Sequence, residues 1–298
     1  MEIYSKLEKE FAEFIGTKYA VSVNTGTAAL HITLSALGIG RGDEVCVPNF
    51  TFISTAWAVT YTGAKPVFYN SIEDIKTTNK TKAIIVAHIY GVPENMDYVK
   101  KIAGDIPIIE DACEAHGATF KGKKVGSIGL AGCFSFQASK IINSEEGGII
   151  TVNDKELADK IRIMKSTAND GNYRHSMLAF NYRMPNATAS LALKSLRGVK
   201  TNLKKRERIW KWFHSVLGEY GKEWVAGQVA WVYPLYVDVP FGRRFFQAMT
   251  SQPMYGNKKN TYTGRVLPIN PNMTKKQTVE LAKKIKDEIK KTGYSGNA

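Results

Sequence analysis

Residues 83–87 read Ala-Ile-Ile-Val-Ala, an unbroken apolar run closed by His88-Ile89-Tyr90-Gly91. A strand with one wet face alternates polar and apolar side chains. A run that does not alternate belongs in the middle of a parallel sheet covered on both faces. A central strand over 83–89 commits the rest of the chain to supplying crossover helices for those faces, hence to an α/β fold.

The neighbouring segments comply. Leu7, Phe11, Phe14 and Ile15 recur at helical spacing over 4–16, with Gly16 as the stop. Short strands are expected at 19–23, 44–48, 66–69 and 106–109, and helices at 28–37, 54–62, 96–103, 112–117, 155–164 and 185–196, the last continuing after Gly198 to Leu217. Phe134, Phe136 and the β-branched run Ile149-Ile150-Thr151-Val152 predict two strands joined by a turn that carries Lys140. Beyond residue 200 the order changes: a strand at 231–239, a helix at 241–249, a strand at 265–269 and a Thr274-capped helix to about 291. Two domains follow, a large one over 1–200 and a smaller α+β one over 201–298. With 298 residues, 44% of them hydrophobic, the chain can bury both cores.

Three places carry chemistry. Lys140 sits among small residues, between Ser135 and Glu145-Glu146-Gly147-Gly148. A desolvated lysine forms Schiff bases with carbonyl groups, and a nearby hydroxyl such as Ser135 can hold the phosphate of pyridoxal phosphate (PLP). Asn24-Thr25-Gly26-Thr27 links a strand to a helix, where free amides suit a phosphate or where Thr25 or Thr27 is an ordinary cap. Glu110-Asp111 closes an apolar strand at the carboxyl edge of the sheet, the edge on which open α/β sheets bind ligands; one of the pair can instead cap the next helix. His88 is expected to be a hydrogen-bonded residue at a strand end.

Charge and cysteine usage exclude other classes. The formal charge is +14, but the lysines are scattered, and the densest cluster, Lys200 to Arg208, lies on an amphipathic helix pattern. Nucleic acid is therefore not the expected partner, and the positive field suits small polyanionic substrates. Cys46, Cys113 and Cys133 sit in apolar segments without metal spacing and read as small core residues in a reducing compartment. No apolar run reaches membrane-spanning length, and Met1 to Lys6 lacks a signal-peptide core, so a cytoplasmic protein is expected.

With these segments in this order, the chain resembles the DegT/DnrJ/EryC1/StrS family of sugar-nucleotide aminotransferases, PLP enzymes of fold type I. The resemblance is carried by Asn24 to Leu30, Gly42 to Val45, Pro48 to Phe52, Glu110 to Ala112, Phe134 to Phe136, Lys140, Glu146 to Gly148 and Asn181 to Met184. It implies that Lys140 holds the cofactor and shuttles protons, and that Asp111 pairs with the pyridine nitrogen. Thr27, the Ala28 amide and Ser135 would grip the phosphate, and Phe52 would stack on the ring unless it is a core aromatic on a strand. Asn181 would reach the cofactor of a second subunit, which makes a homodimer with composite sites the expected assembly. Arg183 is a candidate for the carboxylate of a glutamate donor, or else a structural ion-pair residue.

Two departures from the family pattern stand out. Glu114 takes the position where many members carry Gln or His near the cofactor's phenolic oxygen, and the resemblance implies the same surroundings for it; an acid there would repel a phenolate unless protonated or turned away. Yet Glu114-Ala115-His116-Gly117 resembles the branch that aminates GDP-4-keto-6-deoxy-mannose to perosamine, and Phe245-Phe246 followed by Gln252 to Tyr255 resembles that branch's substrate segment. The chain is also short for the family, notably between Asn70 and Thr81 and in the C-terminal domain. The implied activity is transfer of an amino group from glutamate to C4 of a nucleotide-linked 4-keto-6-deoxy sugar, with GDP preferred over dTDP or UDP. The helix segment 205–212 (Lys205, Arg206, Arg208, Trp210, Trp212) and the segment 243–255 have the composition of a nucleotide pocket. The alternatives are a sugar dehydratase, against which Lys140 argues, and a cofactor-binding but idle partner or regulatory subunit. No metal and no catalytic role for His116 are expected.

Overall fold

A computed structural model describes residues 2–292, so Met1 and the last six residues of the expected small domain lie outside the described residues. In chain order the elements are α1 (Ile3–Ile15), β1 (Tyr19–Val23), α2 (Gly26–Ala36), β2 (Glu44–Pro48), α3 (Ile53–Thr62), β3 (Lys65–Tyr69), β4 (Thr81–Ala87), α4 (Met96–Ala103), β5 (Ile108–Asp111), the short pair β6 (Thr119–Phe120) and β7 (Lys123–Lys124), β8 (Ala131–Ser135), β9 (Gly148–Val152), α5 (Lys155–Lys165), α6 (Asn186–Arg197), α7 (Val199–Leu217), β10 (Val232–Leu235), β11 (Arg243–Arg244), β12 (Arg265–Pro268) and α8 (Lys275–Lys291).

The main sheet has seven strands in the order β1-β9-β8-β5-β4-β2-β3. The pairings from β3 through β2, β4 and β5 to β8 are parallel, whereas β9 runs antiparallel to both β8 and β1. The unbroken apolar run is explained by β4: Ala83 and Ile85 face the core under α2, α3 and α5, while Ile84 and Val86 face α4. Farther along the sheet, Phe134 and Ile149 turn into a core shared with α1 and α6. Helices therefore cover both faces, as a buried parallel sheet requires.

The C-terminal part builds its own core. Strands β10, β12 and β11 form an antiparallel sheet, and Ile209, Phe213 and Leu217 of α7 pack with Leu235, Leu267 and the α8 residues Ala282, Ile285 and Ile289. Fully burying each such isoleucine contributes roughly 1.5–3 kcal/mol. Helix α8 starts where its cap dictates: Thr274 Oγ1 accepts from the Gln277 amide at 3.3 Å and Gln277 Oε1 accepts from the Thr274 amide at 2.9 Å.

Two expected elements fail and a third is shortened. Residues 112–117 form turns, not a helix, because Ala112 donates to the Cys133 carbonyl and stays tied to β8. Residues 241–249 are not helical: Arg243–Arg244 pair with β12, and Met249 donates to the Asn49 carbonyl of the main sheet. The strand expected over 231–239 is limited to the four residues that pair with β12. In each case a long-range backbone partner overrides local preference.

Candidate active site

The carboxyl ends of β4, β5 and β8 open into a cavity of about 770 Å³, closed on the far side by Trp231, Arg243, Phe246 and residues 268–271. Of the acidic pair at the end of β5, only Asp111 faces it. Glu110 is fully buried and accepts from His88 Nε2 at 3.0 Å and from the amides of Gly126, Ile128 and Gly129 at 2.6–2.8 Å. The Glu94 amide donates to His88 Nδ1, which leaves the imidazole proton on Nε2, facing Glu110. Burial pushes the Glu110 carboxyl up, but the His88 and amide hydrogen bonds outweigh it and hold it below the usual carboxylate range. His88 is the structural residue expected, and neither acid caps a helix.

Asp111 is buried at the cavity wall, where Oδ2 accepts from the Thr55 hydroxyl at 2.8 Å and Oδ1 from the Cys113 amide at 3.2 Å. With the Thr55 proton committed to Asp111, the 2.8 Å contact between Thr51 and Thr55 is a bond donated by Thr51. These two buried threonines orient the carboxylate. Sequence reasoning missed them, since a threonine on an apolar helix carries no signal until the opposing strand is known.

Helix α2 points its N-terminus into the same cavity. Gly26 is needed there by contact: a Cβ would lie 2.8 Å from Ser135 Cβ and 3.0 Å from Cys113 Sγ. Gly148 of β9 is pressed against the Thr25 carbonyl in the same way. Thr25 caps the helix by accepting from the Ala28 amide at 3.0 Å, so the amide expected to hold a phosphate is Thr25's partner here. The first helical amides, those of Gly26 and Thr27, are the ones at the tip. The Thr27 hydroxyl donates to Ser54 at 2.8 Å, and Ser135 Oγ accepts from the Gln137 amide at 3.3 Å. Cys113, expected in the core, lines the cavity, and burial raises its thiol pKa well above the ordinary value.

The turn between β8 and β9 is tied to itself and to the C-terminal part. Phe136 and Gly147 are bonded at 2.8 Å and Ala138 and Glu145 at 2.9 Å, while Trp231 Nε1 donates to the Ser139 carbonyl at 2.8 Å. Lys140 projects from this frame. Its Nζ lies 4.1 Å from the centre of the Trp231 ring and 3.7 Å from Glu114 Oε1, and Glu114 Oε2 accepts from the Tyr90 amide at 2.9 Å. Phe52 is 52% exposed at the mouth, beside Phe246, and precedes α3, so it is not a core strand residue.

The structure thus gathers Thr27, Phe52, Asp111, Glu114, Ser135 and Lys140 around one cavity. Three expected residues are not lining residues of this cavity: Ala28, whose amide is taken by Thr25, and Asn181 and Arg183. Asn181 is exposed, its Oδ1 accepting from Arg183 Nε at 3.1 Å, and Arg183 is turned to that bond. Arg243 lines the cavity instead, and Arg206 lies buried beside it, donating to the carbonyls of Trp231 and Ile269. The rest of the expected nucleotide helix does not reach the cavity: Lys205 and Arg208 are exposed, Arg208 stacks on Trp212, and Trp210 packs with Trp224 and Tyr233. Tyr255 bonds to Thr60. His116 is buried against Phe134 and Phe136 and does not line the cavity.

PLP presents a phosphate, a basic ring nitrogen and an aldehyde, and the donor set answers each of these. A helix tip with two hydroxyls, a threonine-held carboxylate and an amine open onto one space, with an exposed phenyl at its mouth.

Comparison with known proteins gives the same placement. Residues 2–237 match the DegT/DnrJ/EryC1/StrS aminotransferase family. The chain is 42% identical over 241 residues to a GDP-perosamine synthase of Caulobacter vibrioides, covering 76% of this chain and 64% of that protein. It is 40% identical over 218 residues to a GDP-perosamine synthase of Escherichia coli O157:H7, covering 68% and 60%. The chain therefore spans less than two thirds of the length of these curated relatives. Among solved structures, DesV of S. venezuelae in complex with a ketimine intermediate superposes with a TM-score of 0.87 at 25% identity, covering 96% of this chain and 89% of that one.

Proposed function

Because the chain belongs to the DegT/DnrJ/EryC1/StrS aminotransferase family, whose aminotransferases are PLP-dependent, we propose that it moves an amino group from glutamate to C4 of a nucleotide-linked 4-keto-6-deoxy sugar. The observation that carries this reading is the Lys140 amine opening into the same cavity as the threonine-held Asp111 carboxylate and the tip of α2. Lys140, Asp111, Thr27, Ser135 and Phe52 are the residues we assign to the cofactor. When bound, PLP supplies an electron sink for the carbon that gains or loses the amino group.

The protein's own groups do the rest. Asp111, a buried carboxylate that Thr55 and the Cys113 amide hold in place, would pair with the ring nitrogen and favour its protonated form. Lys140 would hold the cofactor at its aldehyde carbon and, as a free amine, would carry a proton to or from the neighbouring carbon as general base and acid. Trp231 and Phe246 line the cavity, and the Trp231 ring covers one side of the amine at 4.1 Å. Arg243, exposed in the cavity, offers a guanidinium for an anionic substrate group.

A GDP-linked sugar is the preferred substrate, supported by the likeness to two GDP-perosamine synthases and by the Glu114 to Gly117 match. We place the division between the two domains near residue 200, at the first turn of α7, and take the working unit to be a homodimer. Asn181, outside its own chain's cavity, would serve the partner's site. The test is incubation with glutamate and each of the GDP-, dTDP- and UDP-linked 4-keto-6-deoxy sugars, following 2-oxoglutarate release. Release with the GDP sugar is expected. Release only with another refutes the GDP choice, and release with none refutes the aminotransferase reading in favour of an idle PLP-binding partner.

A further inference from the structure

We propose that Glu114 is the counter-ion of Lys140 and the acceptor of its proton, a positioning residue for the amine rather than a contact to the phenolic oxygen of the cofactor. This rests on the PLP reading above. One carboxylate oxygen is anchored, since Glu114 Oε2 accepts from the Tyr90 amide at 2.9 Å. Tyr90 is itself held in the left-handed region, at φ 56°, and the next residue, Gly91, accepts from the Val229 amide at 3.0 Å. The other oxygen, Oε1, is thereby aimed at Lys140 Nζ, 3.7 Å away. On its second side the amine meets the Trp231 ring, which is fixed by its own bond to the Ser139 carbonyl. The amine is wedged between an indole and a carboxylate, and neither can swing away.

Four groups from four segments face Glu114: Lys140 from the turn after β8, Asp111 from β5, Arg243 from β11 and the Tyr90 amide after β4. Burial lifts the Glu114 carboxyl above the ordinary range, Lys140, the Tyr90 amide and Arg243 draw it down, and Asp111 pushes it up again; the net shift is upward. A carboxylate raised in this way is a better proton acceptor than an ordinary one. The transfer is balanced: the Nζ–H bond breaks, an O–H bond forms on Oε1, and the amine keeps the electron pair with which it attacks the aldehyde. Glutamine at this position could accept a hydrogen bond but not the proton.

The experiment is a pH titration of the visible absorbance of the PLP-loaded protein, wild type against Glu114→Gln and Glu114→Asp. The Gln side chain can still accept from the Tyr90 amide, so a purely structural role leaves the midpoint unmoved. Loss of an opposite charge within about 4–6 Å should lower the midpoint by roughly 1–3 pH units in Glu114→Gln. Glu114→Asp, which keeps the charge but withdraws it by one methylene, should fall part-way and gives the answer even where Glu114→Gln does not fold. Midpoints that stay at the wild-type value in the variants overturn the role of Glu114. A wild-type protein that takes up no PLP overturns instead the reading on which it rests.

Discussion

Thr55 donates its hydroxyl proton to Asp111 Oδ2 at 2.8 Å, and both side chains are buried. The bond joins the first turns of α3 to the end of β5, residues 56 apart in sequence, and fixes where the one negative charge assigned to the ring nitrogen stands. Asp111→Asn removes that charge with little change of shape. Losing a charge-assisted hydrogen bond of about 1.5–3 kcal/mol from the transition state should slow turnover by roughly tenfold to over a hundredfold. Thr55→Val should show a smaller loss in the same assay, near the lower end of that range. Unchanged turnover in Asp111→Asn would reduce the acid to a structural residue.

Lys140 is the residue on which the cofactor is expected to be fixed. Borohydride treatment of the PLP-loaded protein followed by peptide mass spectrometry should find the adduct on Lys140. Lys140→Ala should still take up PLP through the phosphate contacts but give no measurable turnover. An adduct on another lysine refutes the assignment.

Assembly can be read by complementation. If Asn181 serves the partner's site, a Lys140→Ala chain and an Asn181→Ala chain, each inactive alone, should recover partial activity when mixed and re-equilibrated. One of the two sites in a mixed dimer then has both residues. Full activity in a protein shown to be a monomer by sedimentation defeats the composite site.

Glu110 should make stability fall in acid. Its carboxyl is below the usual range in the folded protein, so the unfolded state binds the proton first as pH drops. The stabilisation is present above the unfolded carboxylate value, about 4.3, and is lost as pH falls through the lower folded value. Glu110→Gln turns an NH2 group toward amides that need an acceptor, at a cost of about 1–3 kcal/mol or more. Thermal melts at neutral pH should show the loss, and the variant's melting temperature should fall less steeply than the wild type's below pH 4.5. Parallel curves would mean that another group governs acid unfolding.

A tight approach is tested by Gly26→Ala. Its Cβ would meet Ser135 Cβ at 2.8 Å, a contact that only a backbone shift relieves. Overpacking of this kind costs typically 1–3 kcal/mol, and the shift moves the helix tip assigned to the phosphate. PLP affinity, measured by dialysis, should fall more than overall stability; equal affinity would remove the helix tip from the site.

The α/β class, the parallel sheet, the lysine turn and the acid at the end of β5 were legible in the chain itself. Each rests on local order: an apolar run without alternation at 83–87, a periodic face on α1, and a lysine between Ser135 and Gly147. Even the cap of α8 follows from Thr274 and Gln277, three residues apart. Tertiary structure put Asp111, the acid that the family resemblance had singled out, at the cavity and buried Glu110 away from it, since the two fall on opposite sides of the strand. It also decided that Ala112 to Gly117 and Phe241 to Met249 are not helices, because their amides are claimed by strands and loops far away in sequence. Thr55 against Asp111, Trp231 against Lys140 and Glu114 against the Tyr90 amide pair residues separated by dozens of positions. No periodicity encodes such pairs; the sheet order does, by bringing the ends of β4, β5 and β8 and the later strand segment to a single cavity.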